Sequence, residues 1–177
     1  MEEDKQTATE ETESSEETTD KEEANADEAD SDEEEAAEEE ADEAEAELEA
    51  AIEVENDLRS EIVTYALQFV GNRYKYGGTN PNTGVDCSGF TSYVMRHAAE
   101  VELPHSSGGQ SRMGRQVSSS EMRPGDIICY GSGKRINHVA LYIGNGQIVH
   151  ASTERTGIKV SRWNYRTPVR IVNVLGD

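Results

Sequence analysis

The stretch Val85-Asp86-Cys87-Ser88-Gly89-Phe90 carries most of the information in this chain, and it follows the run Tyr74-Lys75-Tyr76-Gly77-Gly78. Asp86 can accept hydrogen bonds from the free N–H groups of a first helical turn, so the stretch predicts a helix that begins at Cys87. Two histidines come later, His138 and His150, on either side of a predicted β-hairpin. A cysteine at a helix N-terminus with histidines on a strand pair is the minimum equipment for a thiolate nucleophile and its base. We expect the N–H groups and the dipole of the helix N-terminus to lower the pKa of the Cys87 thiol.

Charge is distributed very unevenly along the 177 residues. Residues 1–57 hold 29 acidic residues and 2 lysines, a net charge of −27, whereas residues 58–177 hold 8 acidic and 14 basic residues, a net charge of +6. Every tyrosine, phenylalanine, proline, cysteine and tryptophan lies in the second part. We therefore predict one globular domain over residues 58–177, preceded by an acidic low-complexity extension over residues 1–57.

The acidic extension has little apolar surface to bury. Residues 1–32 lack periodicity and are expected to be disordered, because burial cannot offset the entropy lost on ordering. The stretch 33–49 is almost wholly Glu, Ala and Asp and has good helix propensity, but repulsion between carboxylates four residues apart opposes a helix. It is either a solvated extension or a docking or inhibitory segment for the basic domain. A calcium-binding role is not supported, because no spaced ligands with a glycine turn occur there.

No signal peptide or membrane-spanning segment is visible in the sequence. The acidic start Met1-Glu2-Glu3-Asp4 is the opposite of a basic secretion signal, and the apolar runs fall far short of the ~20 residues that cross a bilayer. The chain is therefore either cytosolic or a mature form that has lost its signal. Two cysteines do not make a disulfide framework, and Cys129, in the apolar run Ile127-Ile128-Cys129-Tyr130, is expected to be a buried core residue.

Apolar spacing predicts an α+β domain around these motifs. Residues 58–70 have apolar positions at helical spacing and end at Gly71, and a second helix is predicted over residues 87–99. Strands are predicted over residues 127–130, 138–143, 147–151, 159–163 and 169–175. Helices first and an antiparallel sheet afterwards are typical of an α+β fold.

The turn Gly144-Asn145-Gly146 decides whether the two histidines can act together. If it is a three-residue loop, His150 lies opposite Ala140 and is a diagonal cross-strand neighbour of His138. A two-residue loop would place the histidines on opposite faces of the sheet. In the first arrangement one histidine faces the thiol and the other orients its ring. Zinc bound by Cys87 and the histidines is the alternative, but no C-x-x-C or H-E-x-x-H spacing supports it, so no metal or cofactor is expected.

Further motifs accompany the cysteine stretch. They are Leu103-Pro104, Arg123-Pro124-Gly125-Asp126, His138-Val139-Ala140-Leu141-Tyr142-Ile143-Gly144 and Ile148-Val149-His150-Ala151. In order and spacing the whole set resembles the NlpC-type cell-wall cysteine peptidases, over about residues 58–175. The resemblance implies a papain-like α+β fold with the nucleophile on a helix packed against an antiparallel sheet. It also implies hydrolysis of stem peptides of bacterial peptidoglycan, usually between γ-D-glutamate and the following diamino acid.

The same resemblance implies roles for individual residues. Cys87 resembles the nucleophile, His138 the general base, and His150 the third, orienting residue. Tyr74 resembles the family tyrosine that lies near the oxyanion. The subsite for the start of the stem peptide is lined by positions that match Asp86, Ser88 and Ser106.

His105 departs from the family pattern, which often has Arg or Asp just before Ser106, and this leaves the stem-peptide selectivity open. We expect peptidoglycan stem peptides as the partner, no nucleic acid, no membrane span and a monomer. The resemblance also implies a secreted or cell-wall-associated bacterial protein whose signal peptide has been removed. The alternatives are an amidase that cuts the sugar–peptide link, an acyltransferase on the same fold, and a non-catalytic wall-binding module.

Overall fold

The computed structural model describes the backbone of residues 29–177 and the side chains of residues 42–177. The chain divides into two units, Met1–Ala44 and Glu45–Asp177. Helix α1 spans Ala29–Leu67. Of the segment predicted to be disordered, residues 29–32 belong to this helix and residues 1–28 lie outside the described residues. The domain boundary at residue 57 stays a prediction, because α1 continues across it.

The other elements all belong to the second unit. Two short strands, β1 (Thr79–Asn80) and β2 (Gly84–Val85), are followed by helices α2 (Cys87–Ala99) and α3 (Ser107–Gln110). The main sheet consists of β3 (Arg115–Gln116), β4 (Ile127–Ser132), β5 (Arg135–Gly144), β6 (Gln147–Thr153), β7 (Gly157–Arg162) and β8 (Pro168–Asn173). Its strand order is β3-β8-β4-β5-β6-β7, with antiparallel neighbours throughout. The predicted α+β fold is confirmed.

The first helix ends earlier than the sequence pattern predicts. It ends at Leu67, and residues 68–71 form a turn instead of a last helical turn. Gly71 has a φ of 92°, and its N–H donates to the carbonyl oxygen of Ile158 at 2.8 Å. A hydrogen bond from Gly71 to β7, which is distant in the sequence, therefore replaces the continuation of the helix. None of the described helices combines the length and the apolar character needed to cross a membrane.

The central strands are apolar on both faces because both faces of the sheet are covered. In β4, Ile127 and Cys129 join a core that includes Phe90 of α2, whereas Ile128 and Tyr130 join a second core on the opposite face. Successive side chains of a strand point to opposite faces, so a continuous apolar run results. Cys129 is fully buried, as predicted.

A buried arginine fastens the second half of helix α1 to the rest of its unit. Arg59, which is 3% exposed, pairs with Asp126 (Nη1 to Oδ1, 3.2 Å) and with Asp177 (Nη2 to Oδ1, 2.6 Å). Glu55 and Arg123 extend the cluster through further ion pairs. Asp126 is 1% exposed, and burial raises the pKa of its carboxyl group. Without the Arg59 guanidinium, the Asp126 carboxylate would stay buried with much less positive charge to offset its loss of hydration.

We expect Arg59→Ala to lower the free energy of unfolding by about 3–5 kcal/mol, because breaking a buried pair leaves an uncompensated charge. Urea unfolding at pH 7 measures the change. Arg96→Ala is the matched control. Its ion pair with Glu102 (2.7 Å) joins side chains that are 55% and 68% exposed, so this variant should unfold almost as the wild type does. Equal losses in the two variants would show that the buried cluster does not fasten α1.

Candidate active site

Asp86 fixes the start of helix α2 and therefore the position of Cys87. Its Oδ1 accepts a hydrogen bond from the N–H of Gly89 at 2.8 Å, as the predicted cap requires. Its Oδ2 accepts a second bond from the N–H of Gly77 at 3.0 Å. One carboxylate thus caps the helix and holds the loop before it. The helix begins at Cys87 and ends at Ala99, as predicted.

Close packing of this loop against α2 explains the small residues of the motif. A Cβ atom on Gly89 would clash with the carbonyl oxygen of Gly78, and a Cβ atom on Gly78 would clash with that of Gly84. Any larger residue at these positions would push the loop away from the helix start. The loop also brings Tyr74 to Val85 through an isolated bridge, two residues before the cysteine.

A turn and a bulge together set the register of the β5–β6 hairpin. Asn145 and Gly146 form a two-residue turn with φ values of 52° and 71°, which suits a tight hairpin. The register shifts by one residue next to this turn, so Leu141 pairs with Val149. This is the pairing predicted for a three-residue loop. The predicted register is therefore confirmed, although a bulge produces it where a longer loop was expected.

The two histidines form a hydrogen-bonded chain with a serine. His138 Nε2 lies 2.8 Å from His150 Nδ1, and His150 Nε2 lies 2.9 Å from Ser161 Oγ on β7. Both imidazoles are buried. Within residues 42–177, Nδ1 of His138 makes no hydrogen bond, so it is the ring nitrogen left to exchange a proton.

Burial raises the pKa of the Cys87 thiol above its ordinary value of 9.0. The N–H groups of Val139, Ser88 and Cys87 itself favour the thiolate, but the charge of Asp86 opposes it and the shift is not reversed. The expectation that the helix N-terminus lowers this pKa is therefore wrong, because lost hydration outweighs the N–H groups. The interaction with Val139 also places the thiol against the backbone of β5, at the residue that follows His138 in the chain.

Burial also decides the ionisation of the histidines. Burial first, and the charge of Arg166 second, lower the pKa of His138 to about 4. Burial, with the charges of His138 and Lys159, lowers the pKa of His150 to about 3. The resting site at pH 7 therefore holds a neutral thiol beside neutral imidazoles. A preformed thiolate–imidazolium pair is not its ground state.

Tyr74 lies at the same site with its phenol protonated. Its side chain is half-buried. Burial first, and then the charges of Cys87 and Asp86, raise the pKa of the phenol above its ordinary value of 10.0. A phenol O–H that stays neutral near the cysteine can donate a hydrogen bond to an oxygen of a bound molecule.

Most residues predicted to line a subsite meet at the start of α2. His105 Nε2 lies 2.8 Å from Asp86 Oδ1, and Ser88 Oγ lies 3.4 Å from the same oxygen. Ser106 is exposed and caps the short helix α3, where its Oγ accepts from the N–H of Gly109 at 3.2 Å. His105, which the sequence analysis noted only as a departure from the family pattern, therefore interacts directly with Asp86.

Two residues that no motif singles out hold the site together. Gln110 is buried, and its Nε2 donates to the carbonyl oxygens of Ser88 and Pro104, each at 2.9 Å. Its Oε1 accepts from Thr91 at 2.6 Å. Ser161 ends the histidine chain. A lone glutamine and a lone serine carry no signal in a sequence, and only the packing of α3 on α2 and of β7 on β6 reveals them.

A family comparison now gives the class of protein. The model of the NlpC/P60 family matches residues 71–171, which is more than half of the chain. The chain belongs to the NlpC/P60 family, and the resemblance seen in the motifs is confirmed.

Curated relatives match more than half of this chain. The Escherichia coli (strain K12) protein named Murein DD-endopeptidase MepS/Murein LD-carboxypeptidase is 41% identical over 108 residues, covering 61% of this chain and 56% of that protein. The probable endopeptidase p60 of Listeria seeligeri is 42% identical over 98 residues, covering 55% of this chain and 18% of that protein. The match thus spans about half the length of the first relative and much less of the second.

Solved structures share the fold. The NlpC/p60 domain of the peptidoglycan hydrolase SagA superposes with a TM-score of 0.60 at 32% identity, covering 65% of this chain and 97% of that chain. The peptidoglycan hydrolase RipB from Mycobacterium tuberculosis superposes with a TM-score of 0.61 at 28% identity, covering 69% of this chain and 67% of that chain. Both support the family assignment.

We expect iodoacetamide to alkylate Cys87 much faster than Cys129 in the folded protein. Cys87 is half-buried, whereas Cys129 is fully buried and burial raises its pKa to about 12. The Cys87 rate should keep rising above pH 9.0, because its pKa lies above that value. Peptide mass spectrometry of timed samples gives both rates, and Cys87→Ser reports the background at Cys129. A Cys87 rate that levels off below pH 9 would contradict the raised pKa.

Acidification should weaken the fold through the buried histidines. Their pKa values fall from an ordinary 6.5 to about 4 for His138 and about 3 for His150, so the unfolded chain binds these protons first. Their contribution to stability is complete above pH 6.5 and declines as the pH drops towards 4. The decline is at most about 1.4 kcal/mol per pH unit for each histidine.

Urea unfolding between pH 6.5 and about 5 measures this effect above the ordinary pKa range of carboxyl groups. His150→Asn removes one of the buried histidines and should show a shallower dependence on pH than the wild type. His97→Asn replaces an exposed histidine by the same residue and serves as the matched control. Identical slopes in all three proteins would contradict the burial argument.

Proposed function

We propose that this chain is a cysteine peptidase that hydrolyses peptide bonds in the stem peptides of bacterial peptidoglycan. The proposal is carried by the convergence of two elements, the N-terminus of α2 with Cys87 and the β5–β6 hairpin with His138 and His150. Family membership supports the reaction class. The names of the E. coli and M. tuberculosis relatives, a murein endopeptidase and a peptidoglycan hydrolase, support the substrate class.

The hydrogen-bond chain supports one assignment of the ring protons. His138 can accept the thiol proton only if its Nδ1 carries a lone pair, so its Nε2–H donates to His150 Nδ1. The Nε2–H of His150 then donates to Ser161 Oγ. His150 and Ser161 are positioning residues in this scheme, because they determine which nitrogen of His138 is free.

Hydrolysis then proceeds through a thioester. Cys87 Sγ attacks the substrate carbonyl carbon while its proton moves to His138 Nδ1. The backbone N–H of Cys87 and the protonated phenol of Tyr74 donate to the oxyanion. The His138 imidazolium then protonates the leaving amine, and the C–N bond breaks. Water, deprotonated by His138, attacks the thioester and releases the acid and the thiol.

Two bonds are candidates for cleavage. The motif resemblance favours the bond between γ-D-glutamate and the following diamino acid. The name of the E. coli relative, which includes DD-endopeptidase, favours a bond in the cross-link between two stem peptides. Asp86, Ser88 and Ser106 would contact the stem peptide in the first case, with His105 influencing what Asp86 accepts.

The remaining expectations follow from the substrate. Peptidoglycan lies outside the cytoplasmic membrane, so we propose that the protein acts there. The net charge of +6 over residues 58–177 suits binding to an anionic wall. The proposed catalytic groups all come from one chain, so a monomer suffices.

Digestion of purified peptidoglycan followed by mass spectrometry of the muropeptides tests the proposal. A γ-D-glutamyl endopeptidase removes the diamino-acid end of each stem, whereas a DD-endopeptidase converts cross-linked dimers into monomers with intact stems. We expect one of these two product sets. Whole stem peptides released from the sugar would instead identify an amidase, and no release at all would favour a non-catalytic module.

Active-site variants assign the roles in the same assay. Cys87→Ala should abolish hydrolysis, and His138→Ala should reduce it by about a thousandfold or more, because base and acid are lost together. His150→Asn should retain partial activity, since an amide oxygen can accept the Nε2–H of His138. Cys129→Ala is the control for loss of a thiol and should remain active. Higher activity in His138→Ala than in His150→Asn would reverse the two histidine roles.

A further inference from the structure

Arg166 lies in the loop between β7 and β8, beside the proposed base. Its Nη2 donates to Asn137 Oδ1 at 3.0 Å, and its guanidinium carbon lies 5.8 Å from the centre of the Tyr130 ring. Asn137 directly precedes His138 on β5, and the rings of Tyr130 and His138 are 6.0 Å apart. Arg166, a half-buried residue, therefore forms part of the wall around His138.

The partners of Arg166 are neutral. Within residues 42–177 it forms no ion pair, whereas Arg59, Arg96 and Arg123 all pair with carboxylates. The amide of Asn137 uses only part of the planar fork of N–H donors. Such a fork matches a carboxylate through two parallel hydrogen bonds. The Arg166 guanidinium therefore has N–H donors at the site that can bind an anionic group.

The charge of Arg166 also acts on the protonation of His138. After burial, Arg166 is the second cause that lowers the pKa of His138 to about 4. A positive charge next to a base disfavours the imidazolium that the reaction must form. An anion bound at Arg166 would offset that charge while the substrate is in place, so the arrangement makes chemical sense if the anion arrives with the substrate.

We propose that Arg166 binds a carboxylate of the substrate and makes the site selective for stem peptides whose carboxyl groups are free instead of amidated. This rests on the proposed peptidoglycan hydrolase function. A γ-linked glutamate keeps its α-carboxyl group, and diaminopimelate keeps a second carboxyl group after one is used in a peptide bond. A carboxylate therefore lies near the scissile bond in both candidate reactions.

The test compares synthetic muropeptides in which one carboxyl group at a time is replaced by a carboxamide. The wild type should lose about 10- to 100-fold in kcat/KM at one of these positions, because a charge-assisted pair to the guanidinium is lost. Arg166→Gln should hydrolyse the free acid slowly and no longer distinguish it from the amide at that position. Arg162→Gln, which removes an exposed arginine of β7, is the matched control and should discriminate as the wild type does.

Arg166→Lys is a conservative variant that keeps a cation near Tyr130 but removes the planar set of N–H donors. It should discriminate between acid and amide less than the wild type does. Thermal unfolding of each variant checks the fold. Wild-type enzyme that hydrolyses the acids and every amide equally well overturns the proposal, and so does undiminished discrimination in Arg166→Gln. If the wild type hydrolyses none of the muropeptides, the result contradicts the proposed peptidoglycan hydrolase function, and therefore also the role of Arg166 that rests on it.

Discussion

The carboxylate of Asp86 connects the three segments on which the site depends. One oxygen caps α2 through Gly89 and bonds to His105, and the other holds the N–H of Gly77. The helix start, the loop before it and the loop after it are thereby joined at one side chain, so Cys87 is held in place. The same negative charge raises the pKa of the thiol. The group that positions the proposed nucleophile therefore also helps to keep its thiol protonated.

Burial gives the site an electrostatic character that differs from a preformed ion pair. Desolvation disfavours the thiolate of Cys87 and the imidazolium of His138 alike, so both are neutral at rest. In the proposed reaction, proton transfer then accompanies attack on the substrate, and the imidazolium formed needs nearby acceptors. The chain from His138 through His150 to Ser161 supplies them in order, which gives a physical reason for a buried polar row in an otherwise apolar sheet.

The hairpin shows how a small backbone detail controls this row. A two-residue turn alone would have put His138 and His150 on opposite faces of the sheet. The bulge beside the turn restores the pairing of Leu141 with Val149 and returns both rings to one face. A bulge next to a functional site is a common way to re-aim a side chain without lengthening a loop.

Sequence patterns predict the elements of this fold whose rules are local. The Asp86 cap, the limits of α2, the alternation that buries Cys129 and the uneven charge all follow from residues close together in the chain. The motifs also grouped Cys87 with His138 and His150, and the structure joins the two histidines by a hydrogen bond. The raised pKa of the Cys87 thiol, the early end of α1 and the contacts of Ser161, Gln110 and Arg166 come from the packing of the folded chain. Desolvation and hydrogen bonds between elements depend on atoms that are distant in the chain, and no local pattern records which of them will meet.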